Sequence, residues 1–413
     1  MRRLLAPLAC QFILVAAAHA QSAAELVSRP AVKAALAALE AAESQTIRDQ
    51  IALCEIPAPP FAEAKRAERY RALRAEAGLR NVRIDAAGIV IGEHVGSGAE
   101  PALILAAHLD TVFPAGTEVS VARAGDVLKG PGIGDDCRGL AVNLAVARAL
   151  GPVATRGSVI VVGDVGEEGV GNLRGVRHQL TEELKTRPTY FVSVDASGYD
   201  LVNQEIGSNR YRVTFQGPGG HSYWAFGLPS AIHALGRAID KVARFKVPAR
   251  PKTTFRVGRI EGSTSGNAIA RSAWMEVDLR SEDAAEPARI DGWLHAAVAS
   301  ALEEENAFWS SEQKLTVDVQ PIGTRPVGAQ DLRAPIVTTA LAVDAALRLD
   351  SHVTSGSTDA GFPVSLGIPA IAVGGGGHWL GMHSLEENFD TTDSFRGTQR
   401  VFLLTVALAG TRR

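Results

Sequence analysis

The 413-residue chain has little cysteine and little excess charge. Its three cysteines are Cys10, Cys54 and Cys137, and its formal net charge is only −3. A disulfide framework is therefore not needed to hold the fold, and we expect Cys54 and Cys137 to be free, although their spacing permits a bridge. The near balance of charge gives no indication of a nucleic-acid partner.

The N-terminal apolar run, Leu4 to Ala18, is shorter than the roughly 20 residues that span a bilayer. It follows two arginines and ends in small residues, which is typical of a secretory signal peptide. We therefore predict a signal over residues 1–20 and a secreted or periplasmic protein without a stable membrane anchor. A retained anchor is the alternative. Cleavage before Gln21 would leave 40 basic and 45 acidic residues, a formal charge of −5.

Several apolar runs of strand length end in side chains that can bind a metal or carry a proton. Residues 101–107 form the clearest run and predict a buried strand that ends at His108 and Asp110. Three later runs end in the same way, with the residues Glu167, Glu168, Asp195, His378 and His383. Because open α/β sheets bind ligands at the carboxyl ends of their strands, these side chains predict a metal site there.

A glycine-rich loop separates the first strand from the next helical pattern. It contains Gly130, Gly132 and Gly134, and it is followed directly by Asp135 and Asp136. Closely spaced glycines let the backbone turn sharply and present a carboxylate at a helix N-terminus. A phosphate-binding loop is the alternative, but the Lys-Ser/Thr ending is missing and two acids would repel phosphate.

The sequence pattern changes as a block between residues 209 and 322. Strand and helix patterns follow one another there in the order βαββαβ, which predicts a ferredoxin-like split motif. The flanking segments, residues 21–208 and 323–413, would form one α/β domain that this block interrupts. The alternative is one continuous α/β fold with a long insertion.

Together, the motifs resemble those of the co-catalytic zinc exopeptidase family, which includes carboxypeptidase G, aminoacylase-1, peptidase T, acetylornithine deacetylase and succinyl-diaminopimelate desuccinylase. Five motifs occur in the family's order: His108-x-Asp110-Thr-Val, Gly-x-Gly-x-x-Asp135-Asp136, Glu167-Glu168, Asp195 and His383. The resemblance implies a three-layer α/β/α catalytic domain with a mixed, mostly parallel sheet. It also implies that the inserted ferredoxin-like α+β domain serves as a lid and in dimerisation.

The resemblance assigns the metal ligands. Asp135 would bridge two zinc ions, for which cobalt or manganese could substitute. His108 and Asp195 would complete the coordination of one ion, and Glu168 and His383 that of the other. These residue types suit zinc, which binds imidazole nitrogen and carboxylate oxygen and keeps a position open for water in catalytic sites.

Two further acids would act beside the ligands. Asp110 would accept a hydrogen bond from the second ring nitrogen of His108 and so fix the orientation of the ring. Glu167, next to a ligand, would be the general base. The resemblance also implies a cis peptide bond after Asp135.

Two other histidines compete for a role. His378 is an alternative ligand to His383, and the family's pattern of a His followed by an acid a few residues on, here Glu386, favours His383. His178 lies inside the helical run Asn172–Leu184 and is interpreted as a surface or packing residue.

In the inserted domain, His221 resembles the family's lid histidine, which reaches the active site of the partner subunit and stabilises the oxyanion. Asn267 and Arg280 resemble the residues that hold the free carboxylate of the substrate, and an Arg suits a carboxylate because it donates two parallel hydrogen bonds. The alternative for Arg280 is an ion pair at a strand end. The sequence departs from the family's usual small residues after the lid His, with Tyr223, Trp224 and Phe226.

The predicted function is that of an exported exopeptidase or deacylase, similar to carboxypeptidases or aminoacylases. It would cleave an amide bond next to a free carboxylate in a small peptide or an N-acyl amino acid, and act as a homodimer through the lid domain. The alternatives are a non-catalytic protein of the same fold that binds peptides or amino acids, and a variant with a single metal ion.

Overall fold

The computed structural model describes residues 23–98, 101–184 and 188–411. The predicted signal peptide, residues 1–20, lies outside them. The described chain divides into two compact units: one comprises the residues up to Gln204 and from Ala329 onward, and the other comprises Glu205–Gly328. Within the described ranges, no helix has the length and apolar character that crossing a membrane requires.

The helices of both units are numbered in chain order. They are α1 (Ala23–Ser28), α2 (Pro30–Ala41), α3 (Glu43–Cys54), α4 (Ala64–Glu76), α5 (Cys137–Leu150), α6 (Arg174–His178), α7 (Ala231–Ala243), α8 (Glu286–Trp309), α9 (Pro335–Leu347), α10 (Gly361–Ser365) and α11 (Phe395–Ala409). A 3₁₀ turn, Gly169–Gly171, precedes α6, and a π-helical turn, Gln179–Glu183, continues it.

The strands are numbered in the same way. They are β1 (Arg80–Ile84), β2 (Val90–His94), β3 (Pro101–His108), β4 (Ala122–Ala124), β5 (Val127–Lys129), β6 (Ser158–Asp164), β7 (Tyr190–Ser193), β8 (Leu201–Glu205), β9 (Gly207–Gln216), β10 (Gly220–His221), β11 (Thr253–Gly262), β12 (Ala268–Ile269), β13 (Ser272–Ser281), β14 (Thr316–Arg325), β15 (Gly328–Ala329), β16 (Val353–Gly356), β17 (Ala370–Val373), β18 (His378–Leu380) and β19 (Asn388–Asp390).

A nine-stranded mixed sheet forms the centre of the first unit. Its order is β1-β2-β6-β3-β7-β17-β8-β15, and β16 pairs with β8. The neighbours β6, β3, β7 and β17 are parallel to one another, whereas the pairs β1/β2, β2/β6 and β17/β8 are antiparallel. The predicted mixed sheet is therefore confirmed, with its parallel part at the centre.

Helices cover both faces of this sheet. Along β3, Leu103 and Leu105 face one core, and Ile104 and Ala106 face the other, as the alternation of a strand requires. Apolar residues of α2, α9 and α11 complete the first core, and those of α4 and α6 complete the second. The two cores confirm the predicted α/β class and its three layers.

The second unit has a separate core. Strands β9, β11, β13 and β14 form an antiparallel sheet in the order β11-β13-β9-β14. Helices α7 and α8 pack on it, with Leu235 and Leu294 buried against Val213 and Met275. Apart from β10 and β12, which pair with each other, the element order is the βαββαβ of the ferredoxin-like motif. Its role as a lid and in dimerisation stays a prediction.

A buried ion pair ties the helices of the first unit to the sheet. The guanidinium of Arg400 in α11 donates to both carboxylate oxygens of Asp344 in α9, at 2.6 and 2.7 Å. It also donates to the main-chain oxygen of Asp200, the residue before β8. The two charged side chains are only 1% and 3% exposed. Such a pair is costly to break from one side, because the remaining charge stays buried.

The substitution Arg400→Leu is therefore expected to lower the free energy of unfolding by about 3–5 kcal/mol. Urea denaturation of the purified protein measures the change. The matched control is Arg71→Ala, because the Arg71–Glu68 pair is 44% and 63% exposed and should contribute at most about 1 kcal/mol. Equal effects of the two substitutions would contradict the structural role of Arg400.

Candidate metal centre

The predicted site residues lie where the parallel strands of the first unit end. His108 is the last residue of β3, and Asp195 follows two residues after β7. Glu167 and Glu168 follow β6, and Asp135 lies just before α5. Because β6, β3 and β7 run parallel and side by side, their carboxyl ends meet at one edge of the sheet.

Asp135 is placed between the two histidines that were predicted as ligands. Its Oδ1 lies 3.0 Å from Nε2 of His108, and its Oδ2 lies 3.0 Å from Nε2 of His383. Nε2 of His383 is also 3.1 Å from Oε1 of Glu168. Each oxygen of one carboxylate therefore faces a different imidazole, which is the arrangement a bridging ligand requires.

The predicted ligands form two groups that share Asp135. One group is His108, Asp135 and Asp195, and the other is Asp135, Glu168 and His383. Within each group, one ligand atom from each residue lies within 4.8 Å of the others. These are the two sets that the resemblance implies for two separate ions.

Glu167 and His378 are placed differently from each other. Glu167 forms a further group with His108 and Glu168, and only 4% of it is exposed, so its carboxylate lies at the centre. His378, the alternative ligand, is exposed on β18 and belongs to none of the groups found among the described residues. Geometry thus favours His383 over His378.

The contact predicted between His108 and the Asp110 carboxylate takes a different form. Nδ1 of His108 lies 3.0 Å from the main-chain oxygen of Asp110, and 3.7 Å from its Oδ1. The two carboxylate oxygens of Asp110 instead accept hydrogen bonds from the backbone N–H groups of Glu167 (3.1 Å) and Glu168 (2.8 Å). Asp110 therefore orients His108 through its backbone, and its side chain fixes the loop that carries the two glutamates.

Glu387 is a positioning residue that the sequence reasoning did not identify. Its Oε1 accepts hydrogen bonds from the backbone N–H groups of Gly134 (2.8 Å) and Asp135 (3.1 Å), and its Oε2 accepts one from Gly132 (3.1 Å). The side chain is fully buried. The signal that could have revealed it is the Glu386-Glu387 pair shortly after His383. When two acids follow one another, one side chain can face solvent while the other accepts hydrogen bonds from a neighbouring loop.

The glycine loop is tightly enclosed. A Cβ atom at Gly134 would lie 2.1 Å from the ring of Trp379, so no larger residue fits there without displacement. Gly132 has a φ of +78°, in the left-handed region that favours glycine. The peptide bond between Asp135 and Asp136 is cis, as the resemblance implies.

The electrostatics of the centre show an excess of buried negative charge. Burial and the nearby Asp135 raise the pKa of Glu168 to about 7, and burial raises the pKa of Asp195 well above its usual range. Hydrogen bonds to Asp135 and Glu168 raise the pKa of His383 to about 10. Burial lowers the pKa of His108, but its contacts with Asp110 and Asp135 outweigh burial and raise it. Such a concentration of buried carboxylates requires balancing positive charge, and the donor set fits divalent cations.

Two of the three residues predicted in the inserted domain lie close together. His221 in β10 pairs with Ala268 in β12, and the backbone N–H of Ser222 donates to the main-chain oxygen of Asn267 (2.9 Å). Both His221 and Asn267 are exposed. Nδ1 of His221 accepts a hydrogen bond from the backbone N–H of Tyr223 (3.2 Å). In the neutral ring, the proton therefore resides on Nε2.

Arg280 lies at the other end of this unit. It is near the end of β13, and the eight residues that separate it from Ser272 span about 26 Å of strand. Ser272 is at the end of β13 that adjoins the loop carrying Asn267. The guanidinium of Arg280 donates to Asp278 (2.6 Å), the ion pair named as its alternative. Within one chain, the structure does not bring Arg280 and Asn267 together.

The fold and the site together define a class, the metallopeptidases and related amidohydrolases, as the sequence motifs predicted. Comparison with known families gives the same result in more detail. The sequence profile described as peptidase family M20/M25/M40 matches residues 104–407. The chain belongs to this family.

Individual relatives agree with this family assignment. A probable carboxypeptidase of Aspergillus terreus is 29% identical over 205 residues, which are 45% of this chain and 46% of that protein. The chain thus matches about half the length of the probable carboxypeptidases. A putative succinyl-diaminopimelate desuccinylase of Mycobacterium tuberculosis is 27% identical over 335 residues, or 79% of this chain and 88% of that protein.

Solved structures show the same fold. A tripeptidase of Staphylococcus aureus has a TM-score of 0.71 and 21% identity, over 89% of this chain and 98% of that one. A Bacillus subtilis protein described as a dinuclear metal-binding peptidase of the M20 family has a TM-score of 0.63 and 16% identity, over 89% and 98% of the two chains. At these identities, the likeness establishes the fold.

The contact between Asp110 and the glutamate loop leads to a prediction. In Asp110→Asn, an amide NH₂ would face one of the two backbone N–H donors, and Glu167 and Glu168 would lose their fixed position. We expect the affinity of the centre for divalent metal ions to fall about 10–100-fold, as measured by competition with a chelating dye. Asp240→Asn, at a side chain that is 58% exposed, is the control. Unchanged affinity in Asp110→Asn would show that the loop is held by other contacts.

Proposed function

We propose that the protein is an exported, metal-dependent hydrolase that cleaves an amide bond next to a free carboxylate in small peptides or N-acyl amino acids. The observation that carries the proposal is the Asp135 carboxylate with an imidazole at each oxygen. The family and the relatives named carboxypeptidase, desuccinylase and tripeptidase support amide-bond hydrolysis. Export is supported by the N-terminal sequence alone.

The proposed centre holds two divalent ions, which we take to be zinc. His108 and Asp195 would hold one, Glu168 and His383 the other, with Asp135 between them. Bound there, the ions would polarise the scissile carbonyl and lower the pKa of water. The structure of the Bacillus subtilis family member, described as dinuclear, supports this number of ions.

Glu167 is proposed as the proton carrier. It lies buried beside His108 and Glu168, and the Asp110 carboxylate fixes its backbone. A carboxylate in this position takes the proton of the attacking water and then delivers it to the amine that leaves. One residue thereby serves as general base and then as general acid.

His221 is proposed to stabilise the oxyanion. Its Nδ1 is occupied by the backbone N–H of Tyr223, so Nε2–H is left to donate a hydrogen bond outward. A donor aimed at the oxygen that becomes negative is the usual means of stabilising a tetrahedral transition state. The ring is exposed in the second unit, as such a donor must be to meet a substrate.

The separation within the second unit favours action across a homodimer. Asn267 and Arg280 are both proposed to bind the substrate carboxylate, yet about 26 Å of strand lies between Ser272 and Arg280. Arg280 and a loop at the opposite end of the same strand cannot bind the same small group. If His221 and Asn267 act on the active site of the partner subunit, a substrate can meet Arg280 from one chain and these two residues from the other.

The aromatic residues after His221 suggest the substrate class. Tyr223, Trp224 and Phe226 are 74%, 81% and 77% exposed. Large exposed rings next to a proposed catalytic donor offer an apolar surface to a ligand. We propose a preference for substrates with bulky apolar or aromatic side chains.

The central test is Glu167→Gln. It removes a proton carrier and no proposed ligand, so turnover should fall on the order of a hundred- to ten-thousand-fold while metal content stays unchanged. Activity is measured in a screen of di- and tripeptides and N-acyl amino acids with added zinc or cobalt. Glu68→Gln, at a side chain that is 63% exposed, is the control.

Near-normal turnover in Glu167→Gln would refute its assignment as the general base. Absence of any turnover by the native chain across the screen, with metal bound, would instead favour the non-catalytic binding protein. Metal analysis separates the variant with a single ion, since its Asp135 centre would hold one ion per chain and not two.

A second prediction concerns the homodimer. A His221→Ala chain and a Glu167→Gln chain are each expected to be nearly inactive alone. When they are mixed and allowed to exchange subunits, half of the dimers are hybrids, and each hybrid contains one site with both residues intact. Activity should recover to about a quarter of the native value. No recovery, despite subunit exchange shown by native mass spectrometry, would mean that His221 serves its own chain or has no catalytic role.

A further inference from the structure

A second group of metal-binding side chains lies in the first unit, apart from the Asp135 centre. Asp85 directly follows β1, His178 ends α6, and Glu183 ends the π-helical turn. One ligand atom from each of the three lies within 4.8 Å of the others. We propose that these residues bind a divalent transition-metal ion, zinc in the first place. The proposal does not depend on the proposed hydrolase activity.

The carboxylate of Asp85 points to a ligand that the protein itself does not supply. Its Oδ1 accepts hydrogen bonds from the backbone N–H groups of Ala87 and Ile89, both at 2.9 Å. Its Oδ2 is buried and has no hydrogen-bond partner among the described residues, and the side chain is only 3% exposed. Nε2 of His178 lies 3.8 Å from this oxygen, too far for a hydrogen bond. A buried carboxylate oxygen without a partner is costly, and a cation beside it would remove the cost.

The π-helical turn brings the other two ligands together. In an α-helix, residues five apart point in different directions, because neighbours on one face are three or four apart. Here the backbone N–H of Leu184 donates to the main-chain oxygen of Gln179 (3.0 Å), five residues earlier. Such a turn places His178 and Glu183, also five apart, one above the other. Single π turns are rare and occur frequently at functional sites.

The charge around the cluster favours a dication. Arg83 donates to Glu183 (2.5 Å), and its other nitrogen lies 3.8 Å from Glu93. One guanidinium therefore faces the carboxylates of Glu93 and Glu183, and Asp85 adds a third carboxylate to the cluster. Three formal negative charges against one positive charge leave two negative charges in excess. Arg83 is 42% exposed and can keep its hydrogen bond to one oxygen of Glu183 while the second oxygen faces the ion.

The ligand types suit zinc, which binds imidazole nitrogen and carboxylate oxygen. The fourth position would be open to water because His178 is 30% exposed. An ion here would fasten the residue after β1 to the helix that follows the Glu167–Glu168 loop. We therefore expect a structural role, and the variants below should retain the native activity.

The test counts zinc ions per chain. The native protein, His178→Ala and Glu183→Gln are dialysed against the same buffered free zinc, and bound zinc is measured by plasma mass spectrometry. Each variant should bind about one ion fewer than the native chain, whatever the occupancy of the Asp135 centre. No substitution is made at Asp85, because its Oδ1 also accepts the backbone hydrogen bonds of Ala87 and Ile89 that stabilise a turn. Glu183→Gln is the second variant in case His178→Ala does not fold.

His352→Ala is the matched control, because His352 lies 4.0 Å from Asp200 and belongs to no group of three ligands among the described residues. It should bind as much zinc as the native chain. Equal zinc content in all four folded proteins would overturn the proposal and leave an ordinary ion pair between Asp85 and His178. The measured quantity is the difference in zinc content between the native chain and each variant. If the Asp135 centre failed to bind metal, all chains would lose the same ions and this difference would not change.

Discussion

The structure of the first unit depends on one constraint, which is the concentration of negative charge at the carboxyl edge of its sheet. Asp135 stands at the centre, with His108 at one oxygen and His383 at the other. Around it, burial holds the pKa of Asp195 and Glu168 above the usual range. Such a cluster is stable only with protons or cations to balance it, and two imidazoles with several carboxylates favour cations.

The surrounding backbone is organised to hold this charge in place. Glu387 accepts three backbone hydrogen bonds from the loop that contains Asp135, and Asp110 accepts two from the loop that contains Glu167 and Glu168. Both supports are themselves buried carboxylates. These two acids thus fix the ligands through hydrogen bonds to the backbone of the loops that carry them. Supports of this kind commonly matter for metal affinity nearly as much as the ligands do.

Much of this arrangement could be predicted from the sequence. Apolar runs that end in ligand residues indicate strands, and parallel strands bring their ends together, so a metal site at this edge follows from the sequence pattern. The division of the ligands into two groups around Asp135 was implied by the family resemblance. The contacts of Asp110 and Glu387 could not be predicted, because they join side chains to backbone N–H groups whose direction depends on loop conformation. The π-helical turn after His178 could not be predicted either. A helical sequence pattern does not show whether a backbone N–H bonds to the carbonyl four or five residues earlier.

The most direct test of the account is anomalous scattering at the zinc edge from crystals of the metal-loaded protein. At the Asp135 centre we expect two peaks about 3.5–4 Å apart, one beside each carboxylate oxygen of Asp135. The peak near Oδ1 should be shared with His108 and Asp195, and the peak near Oδ2 with Glu168 and His383. A single peak at this centre, or two peaks that Asp135 does not join, would contradict the bridging role on which the proposed mechanism depends.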